Sequence, residues 1–333
     1  MVFDDALSNV TNNSMIIITS DIVLSSNVLL KGIENFTIVG QGNPTVNCNG
    51  NGSAKFISCN NVTVKDIYWK QCGSNNESIV PGIEFYNSSN IEIQNCSFHH
   101  PIGQAVVLSK TSGNVPINNC QFAKNNHYES HCSVLYFSKG DENNSWLRLI
   151  IHNCSFSYNS VAKSLVYFGS SVNKLSDYLS IQTSVFRHNH VVPVYISHTT
   201  LYLKSNVVFE HNIATDGGGI LSSSSLVIIE NNSNISFYNN SATMNGGGIF
   251  LNDSEIRSSV TFTDNTAEYG GAMYAIDHSV VMLNGSTTVT YRGNSASNNG
   301  GALNSYQYSS IMFDGNSVVT FHNNRAGYGG AVY

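Results

Sequence analysis

Charge is scarce in this chain. Lys and Arg number 15 and Asp and Glu 21 among 333 residues, only 11 % in all. No basic tract or stripe is present, which excludes the electrostatic footprint of a nucleic-acid-binding surface. Long apolar runs are missing too. The longest near the start, MIIIT, is far too short to span a membrane. The opening MVFDDALSNV has neither a basic start nor an apolar core, so it does not read as a secretory signal. No Cys-x-x-Cys pair occurs, and no cysteine follows Cys154. Zinc-type spacing is therefore absent, and no cofactor is expected. With only 5 prolines, turns must be made by something else.

Asparagine fills that role. The chain holds 45 of them, a residue that tolerates left-handed backbone and whose amide both donates and accepts. Fifteen Asn-x-Ser/Thr triplets follow from this abundance. Those placed in loops, Asn51, Asn76 and Asn143, are the expected glycan acceptors; Asn95 and Asn153, beside cysteines in strand-like sequence, read as structural. Seven cysteines in the first half, together with the sequons, point to an oxidising, extracellular or cell-surface setting. Without a signal, the expectation is a fragment or incomplete chain.

The second half repeats itself. Phe209/Asn212, Phe237/Asn240, Phe262/Asn265, Tyr291/Asn294 and Phe321/Asn324 each space an aromatic and an asparagine three apart, with the turn expected at the asparagine. Gly-Gly pairs follow, among them Gly270 and Gly271, Gly300 and Gly301, and Gly329 and Gly330. In SNIEIQNCSF, Ile91 and Ile93 alternate inward, but Cys96 and Phe98 carry the opposite parity. A straight strand cannot shift phase in this way; a bend at Asn95 can. The signature recurs up to Phe122, Phe156 and Phe186. Each unit is thus strand, bend, strand, turn, strand, which is one coil of a parallel β-solenoid. Coils stacked at roughly 4.8 Å put each residue against its own copy. Aromatics then stack inside and asparagines form an amide ladder. The repeats are scaffold, not active site.

The paired motifs F-x-x-N and G-G-A-[ILMV] resemble the repeats of the chlamydial polymorphic outer membrane proteins. FTDNTAEYGGAM and FHNNRAGYGGAV match both halves. The first two hundred residues, as in NSSNIEIQNCSF, resemble right-handed parallel β-helix chains of the pectate-lyase-like class. The resemblance implies that fold and, by analogy, surface adhesion or recognition. The expected fold is all-β: a single right-handed parallel β-helix of about 11–12 coils with a short N-terminal capping helix. The cap occupies residues 1–12, Cys-containing irregular coils 13–200, and Gly-Gly-Ala coils 201–333, all in one domain.

Candidate chemistry is sparse. Lys65, Asp66 and Glu92 are placed to share one face of adjacent coils, which is the basis of a carbohydrate-active alternative, a polysaccharide lyase or hydrolase. No Asp-x-Asp or Arg-x-x-Lys run supports it. His188 and His211 sit at equivalent positions and are the metal-binding alternative. Cys48, Cys59 and Cys72 are the disulfide candidates. Cys96, Cys120 and Cys154 occupy one equivalent position and read as a buried thiol stack. The expected function is a non-enzymatic extracellular scaffold for adhesion or recognition of a protein or glycan ligand; a structural spacer is a third reading. Unpaired strand edges at Tyr333 would favour end-to-end association.

Overall fold

The computed structural model describes residues 9–73, 80–127, 133–138, 146–170, 177–230, 233–257, 260–283, 288–313 and 317–333. They are strands and turns, with no helix among them. Most of the expected capping helix, residues 1–8, lies outside the described residues. Residues 9–12 are not helical. Asn13 has φ 60° and gives its N–H to the Glu34 carbonyl one turn on, so this stretch is already solenoid backbone. The chain falls into two compact units, Met1–Val172 and Asn173–Tyr333.

Unit one begins as a stack of three-sided turns. Asn60–Lys65, Tyr68–Lys70 and Ile83–Tyr86 form the three sides of one turn. The next turn lays Ser89–Gln94, Ser97–His99 and Val106–Ser109 on them, all parallel. Register pairs like with like: Ile91 with Val62, Ile93 with Val64, Phe98 with Trp69. These side chains are buried, and each contributes about 1.5–3 kcal/mol by leaving water. Between the first and second sides one residue per turn takes the left-handed conformation: Asp66 (φ 61°), Asn95 (φ 51°), Asn119 (φ 54°) and Asn153 (φ 52°). That single residue reverses the side-chain parity and produces the phase slip in the sequence. Its side chain points outward and bonds along the stack. Asn95 Nδ2 donates to Asp66 Oδ1 at 2.8 Å, Asn119 Nδ2 to Asn95 Oδ1 at 3.0 Å, and Asn153 Nδ2 to Asn119 Oδ1 at 2.8 Å.

Both units carry an inner ladder and a fourth side: in unit one the N–H and amide of Asn125 donate to Asn159 Oδ1 and Asn126–His127 pairs with Ser160–Val161, and in unit two both features run over more turns. Phe186, Phe209, Phe237, Phe262, Tyr291 and Phe321 stack ring on ring with centroids 4.7–5.1 Å apart. Three residues on, the asparagines form the expected ladder. The Asn212 amide nitrogen donates to the Phe186 carbonyl and to Asn240 Oδ1, both at 2.9 Å, and the Asn212 backbone N–H donates to that same oxygen. Asn212 Oδ1 in turn accepts from the backbone N–H and the amide of Asn189. The Asn265 amide nitrogen donates to the Phe237 carbonyl at 2.9 Å and to Asn294 Oδ1 at 3.0 Å, with its backbone N–H on Asn294 Oδ1 as well. Asn240 repeats this toward Asn265, and Asn294 toward Asn324.

The turn itself lies one residue earlier than expected. Asn212 and its copies are not left-handed; the residue before each one is: His211 (φ 54°), Asn239 (φ 49°), Asp264 (φ 54°), Gly293 (φ 64°) and Asn323 (φ 53°). The left-handed residue reverses parity, which sends the following asparagine inward, where Asn212 is fully buried. Its contribution is side-chain hydrogen bonding, not backbone tolerance.

In unit two the fourth side is a four-stranded parallel sheet of Ile213–Asp216, Ser241–Asn245, Thr266–Tyr269 and Ser295–Asn299. It ends on the glycine pairs. Gly270 has φ 62°, and a Cβ on Gly271 would run into the Gly301 carbonyl of the next turn. Only glycine fits both places.

Candidate functional site

The bend between first and second sides turns two short strands against each other. In unit one the corner encloses a groove of about 660 Å³. Amides of Asn43, Asn95 and Asn119 line it, with the hydroxyls of Thr45 and Ser97. Asp66 and Tyr68 complete it. Tyr68 faces outward because the parity reversal at Asp66 sends Trp69 inward. Its ring lies 4.9 Å from that of His99, and His99 Nε2 is 3.3 Å from Gln121 Oε1. Burial holds the His99 imidazole below its ordinary pKa, so it is neutral near pH 7.

The residues expected to share a face are placed as follows. Lys65 stands opposite Gln94, and Glu92 opposite Thr63, on the outer surface of the first side. The two are one rung apart on a diagonal. Asp66 sits at the corner, half-buried, facing the groove. Asp66 is therefore the only one of the three that lines the groove; Lys65 precedes it on the outer surface of the first side. Together they offer hydrogen-bond donors and acceptors, one carboxylate, one aromatic face and a nearby cation. That set suits a sugar: hydroxyls meet amides and carboxylate, and the C–H face of the ring meets Tyr68.

His188 and His211 stack face to face, centroids 4.9 Å apart and planes 5° off parallel. Asn239 Nδ2 lies 2.8 Å from His211 Nδ1. Stacked rings aim their nitrogens sideways rather than at a common point. Among the described residues no group of three His, Cys, Asp or Glu gathers as a metal site. Asn212, next to His211, points the other way, into the core, and its amide is bonded within the ladder. It serves the scaffold and offers nothing to a ligand.

Cys48 and Cys72 form a disulfide. Cys59 is a buried free thiol whose Sγ donates to the Ile57 carbonyl at 3.5 Å. Cys96, Cys120 and Cys154 are buried thiols outside any disulfide. Burial pushes Cys96 up to about 12, and the bond to Cys154 together with burial raises Cys120 further. Such thiols are neither nucleophiles nor metal ligands at neutral pH. Asn51 is exposed in a turn, while Asn76 and Asn143 lie outside the described residues.

Sequence reasoning missed Tyr68 and the groove itself. The signal was present in VKDIYW: once Asp66 is the bend, Tyr68 must face out. A second groove, in unit two, was missed as well, although Asp253-Ser254-Glu255 sets two carboxylates two residues apart in the sequence. It opens at the turn from third side to first and is lined by Asp253, Glu255 and His278.

Comparisons with known proteins bear on the fold. An alginate lyase of family PL6, solved in complex with a trisaccharide, superposes with a TM-score of 0.56 at 9 % identity; the match covers 99 % of this chain and 82 % of the lyase. The tailspike protein of E. coli bacteriophage HK620, solved with a hexasaccharide, gives a TM-score of 0.43 at 13 % identity, covering 97 % of this chain and 68 % of the tailspike. No curated protein matches the chain in sequence. The likeness to the lyase shows a shared fold, and it overturns one expectation. The lack of a carboxylate cluster reads as non-enzymatic, yet a polysaccharide lyase is built on this same scaffold over nearly the whole chain. A model of the right-handed β-helix region matches residues 140–326, more than half the chain. The chain therefore belongs to the right-handed β-helix family.

Proposed function

We propose that this is a carbohydrate-active β-helix protein that holds a polysaccharide in the groove at the Asp66 bend. The observation that carries the reading is the lining of that groove: amides, hydroxyls, a carboxylate and a tyrosine ring in one polar concavity. Tyr68 is the platform for a sugar ring. Asp66 accepts from sugar hydroxyls while keeping its bond from Asn95. Lys65, next to Asp66 in the chain, supplies a positive charge close to the groove for an acidic sugar. The shared fold with an alginate lyase supports a polysaccharide as substrate class and cleavage, by elimination or hydrolysis, as reaction. The Cys48–Cys72 disulfide supports an extracellular setting, as does the likeness of the F-x-x-N and G-G-A repeats to surface proteins.

The test is turnover. The purified chain is incubated with alginate, polygalacturonate, xylan and mannan, and new reducing ends and unsaturated uronate absorbance are followed. One substrate should be cut, and Tyr68→Ala or Asp66→Asn should lower the rate at least tenfold with melting temperature kept. Turnover that both variants leave unchanged would remove this groove from the account.

A further inference from the structure

Unit two carries a groove that the proposed function does not use. It encloses about 470 Å³ at the turn from the third side to the first. A ladder of buried hydroxyls builds the turn: the N–H of Thr199 donates to Ser225 Oγ, that of Ser225 to Ser254 Oγ, and that of Ser254 to Ser279 Oγ, at 3.1–3.2 Å. The residue before each hydroxyl is left-handed and projects outward. These are Ser224 (φ 46°), Asp253 (φ 47°) and His278 (φ 62°), with Tyr308 (φ 62°) on the following turn. Parallel stacking sets them in a row at roughly 4.8 Å per turn.

The row has a distinct chemistry. Asp253 is exposed, its Oδ2 accepting from Ser224 Oγ at 3.2 Å. Glu255 lines the groove, and its Oε1 takes the Arg257 Nε–H at 2.6 Å. The second oxygen of each carboxylate is not used by these bonds. Beside them His278 stacks on Tyr308, centroids 5.3 Å apart and planes 16° off parallel. Tyr308 is 88 % exposed, so its outer face is an open aromatic platform. Leu226 supplies an apolar patch in the groove.

Two carboxylates accept hydroxyl protons and repel anions, and Arg257 offsets only one of them. An exposed aromatic stack beside them takes the C–H face of a sugar ring. We propose that this groove is a second glycan site, selective for a neutral oligosaccharide lying along the row from Ser224 to Tyr308. Its hydroxyls donate to Asp253 and Glu255, and one ring rests on the His278–Tyr308 stack. The site is separate from the Asp66 groove and does not depend on that reading.

Titration calorimetry of the full chain tests it, with cellohexaose, mannohexaose, xylohexaose and chitohexaose as neutral probes. Hexamers of alginate and polygalacturonate are the acidic probes. At least one neutral hexamer should bind. Asp253→Asn and Tyr308→Ala should each weaken it roughly tenfold, and Tyr68→Ala should leave it unchanged. Tyr308 is too exposed for its loss to threaten folding, so that variant decides the matter if Asp253→Asn destabilises. The proposal falls if no neutral hexamer binds, or if binding survives both groove variants. It also falls if Tyr68→Ala abolishes binding, because the ligand then occupies the unit-one groove. Weaker acidic-hexamer binding in Tyr68→Ala, with neutral binding kept, would separate the two sites.

Discussion

Tyr291 is the aromatic ladder's one departure from phenylalanine in the buried stack that begins at Phe186. It is fully buried, and its hydroxyl finds no partner among the described residues. Burial alone pushes its pKa far above the ordinary range. A buried hydroxyl without a partner costs about 1–3 kcal/mol. Tyr291→Phe should therefore raise stability by roughly 1 kcal/mol, seen as a higher urea midpoint with an unchanged slope. Cys96 gives a pH signature. Its thiol ionises at about 12 when folded, against an ordinary value of 9.0. Above pH 9 the unfolded chain has lost this proton while the folded chain keeps it. The folded state then binds more protons, so stability falls as pH rises, by roughly 1.4 kcal/mol per pH unit for this thiol. Urea midpoints at pH 8 and pH 10.5 should differ less in Cys96→Ala than in the wild type; equal differences would show the thiol ionising freely. At this scale the sequence told much: the alternation around Cys96 already placed it inside. It could not tell Cys48 and Cys72 from Cys59, because bonding depends on which turns meet, and Cys59 instead donates its thiol hydrogen to the backbone.

At the scale of strands and turns, the ladders govern. Removing one rung of the inner asparagine ladder orphans several groups at once. In Asn265→Ala the Phe237 carbonyl loses a donor, as does Asn294 Oδ1, and the Asn240 N–H and amide lose their acceptor. The expected loss is roughly 3–5 kcal/mol. Hydrogen exchange should show the damage first at the neighbouring turns, Ser241–Asn245 and Ser295–Asn299. An exposed rung such as Asn119 should cost much less, because water replaces its bonds. The strand–bend–strand order was legible because a left-handed residue reverses parity, and reversed parity is visible in the letters. Which residue is left-handed was less so. At Asn95 the asparagine is the bend, whereas at Asn212 the bend is the histidine before it, and the two asparagines look alike in sequence. The start of the chain was not legible in the same way. Phe3, Ala6, Leu7 and Val10 have helical spacing, and the first three of these lie outside the described residues; from Asn13 onward the chain pairs in parallel with the next turn.

At the scale of the molecule, a solenoid makes neighbours of residues some 22–37 positions apart in the chain. This is why a search for carboxylate doublets leads to a non-enzymatic reading. Asp66, Tyr68, Asn95 and Asn119 come from three successive turns, and no short motif contains them. Asp253 and His278 likewise meet only through stacking. The parallel β-solenoid architecture could be read from repetition; the grooves needed the register. Among the described residues no helix is long and apolar enough to cross a membrane.

Whether the Asp66 groove holds a polysaccharide is decided by equilibrium binding of an alginate trisaccharide, and of oligomers of whichever polymer is cut, to wild-type chain and Tyr68→Ala. The wild type should bind saturably and Tyr68→Ala at least tenfold more weakly, with equal melting temperatures. Equal affinity in the two proteins would contradict this, and would mean that the sugar, if bound at all, lies elsewhere on the solenoid.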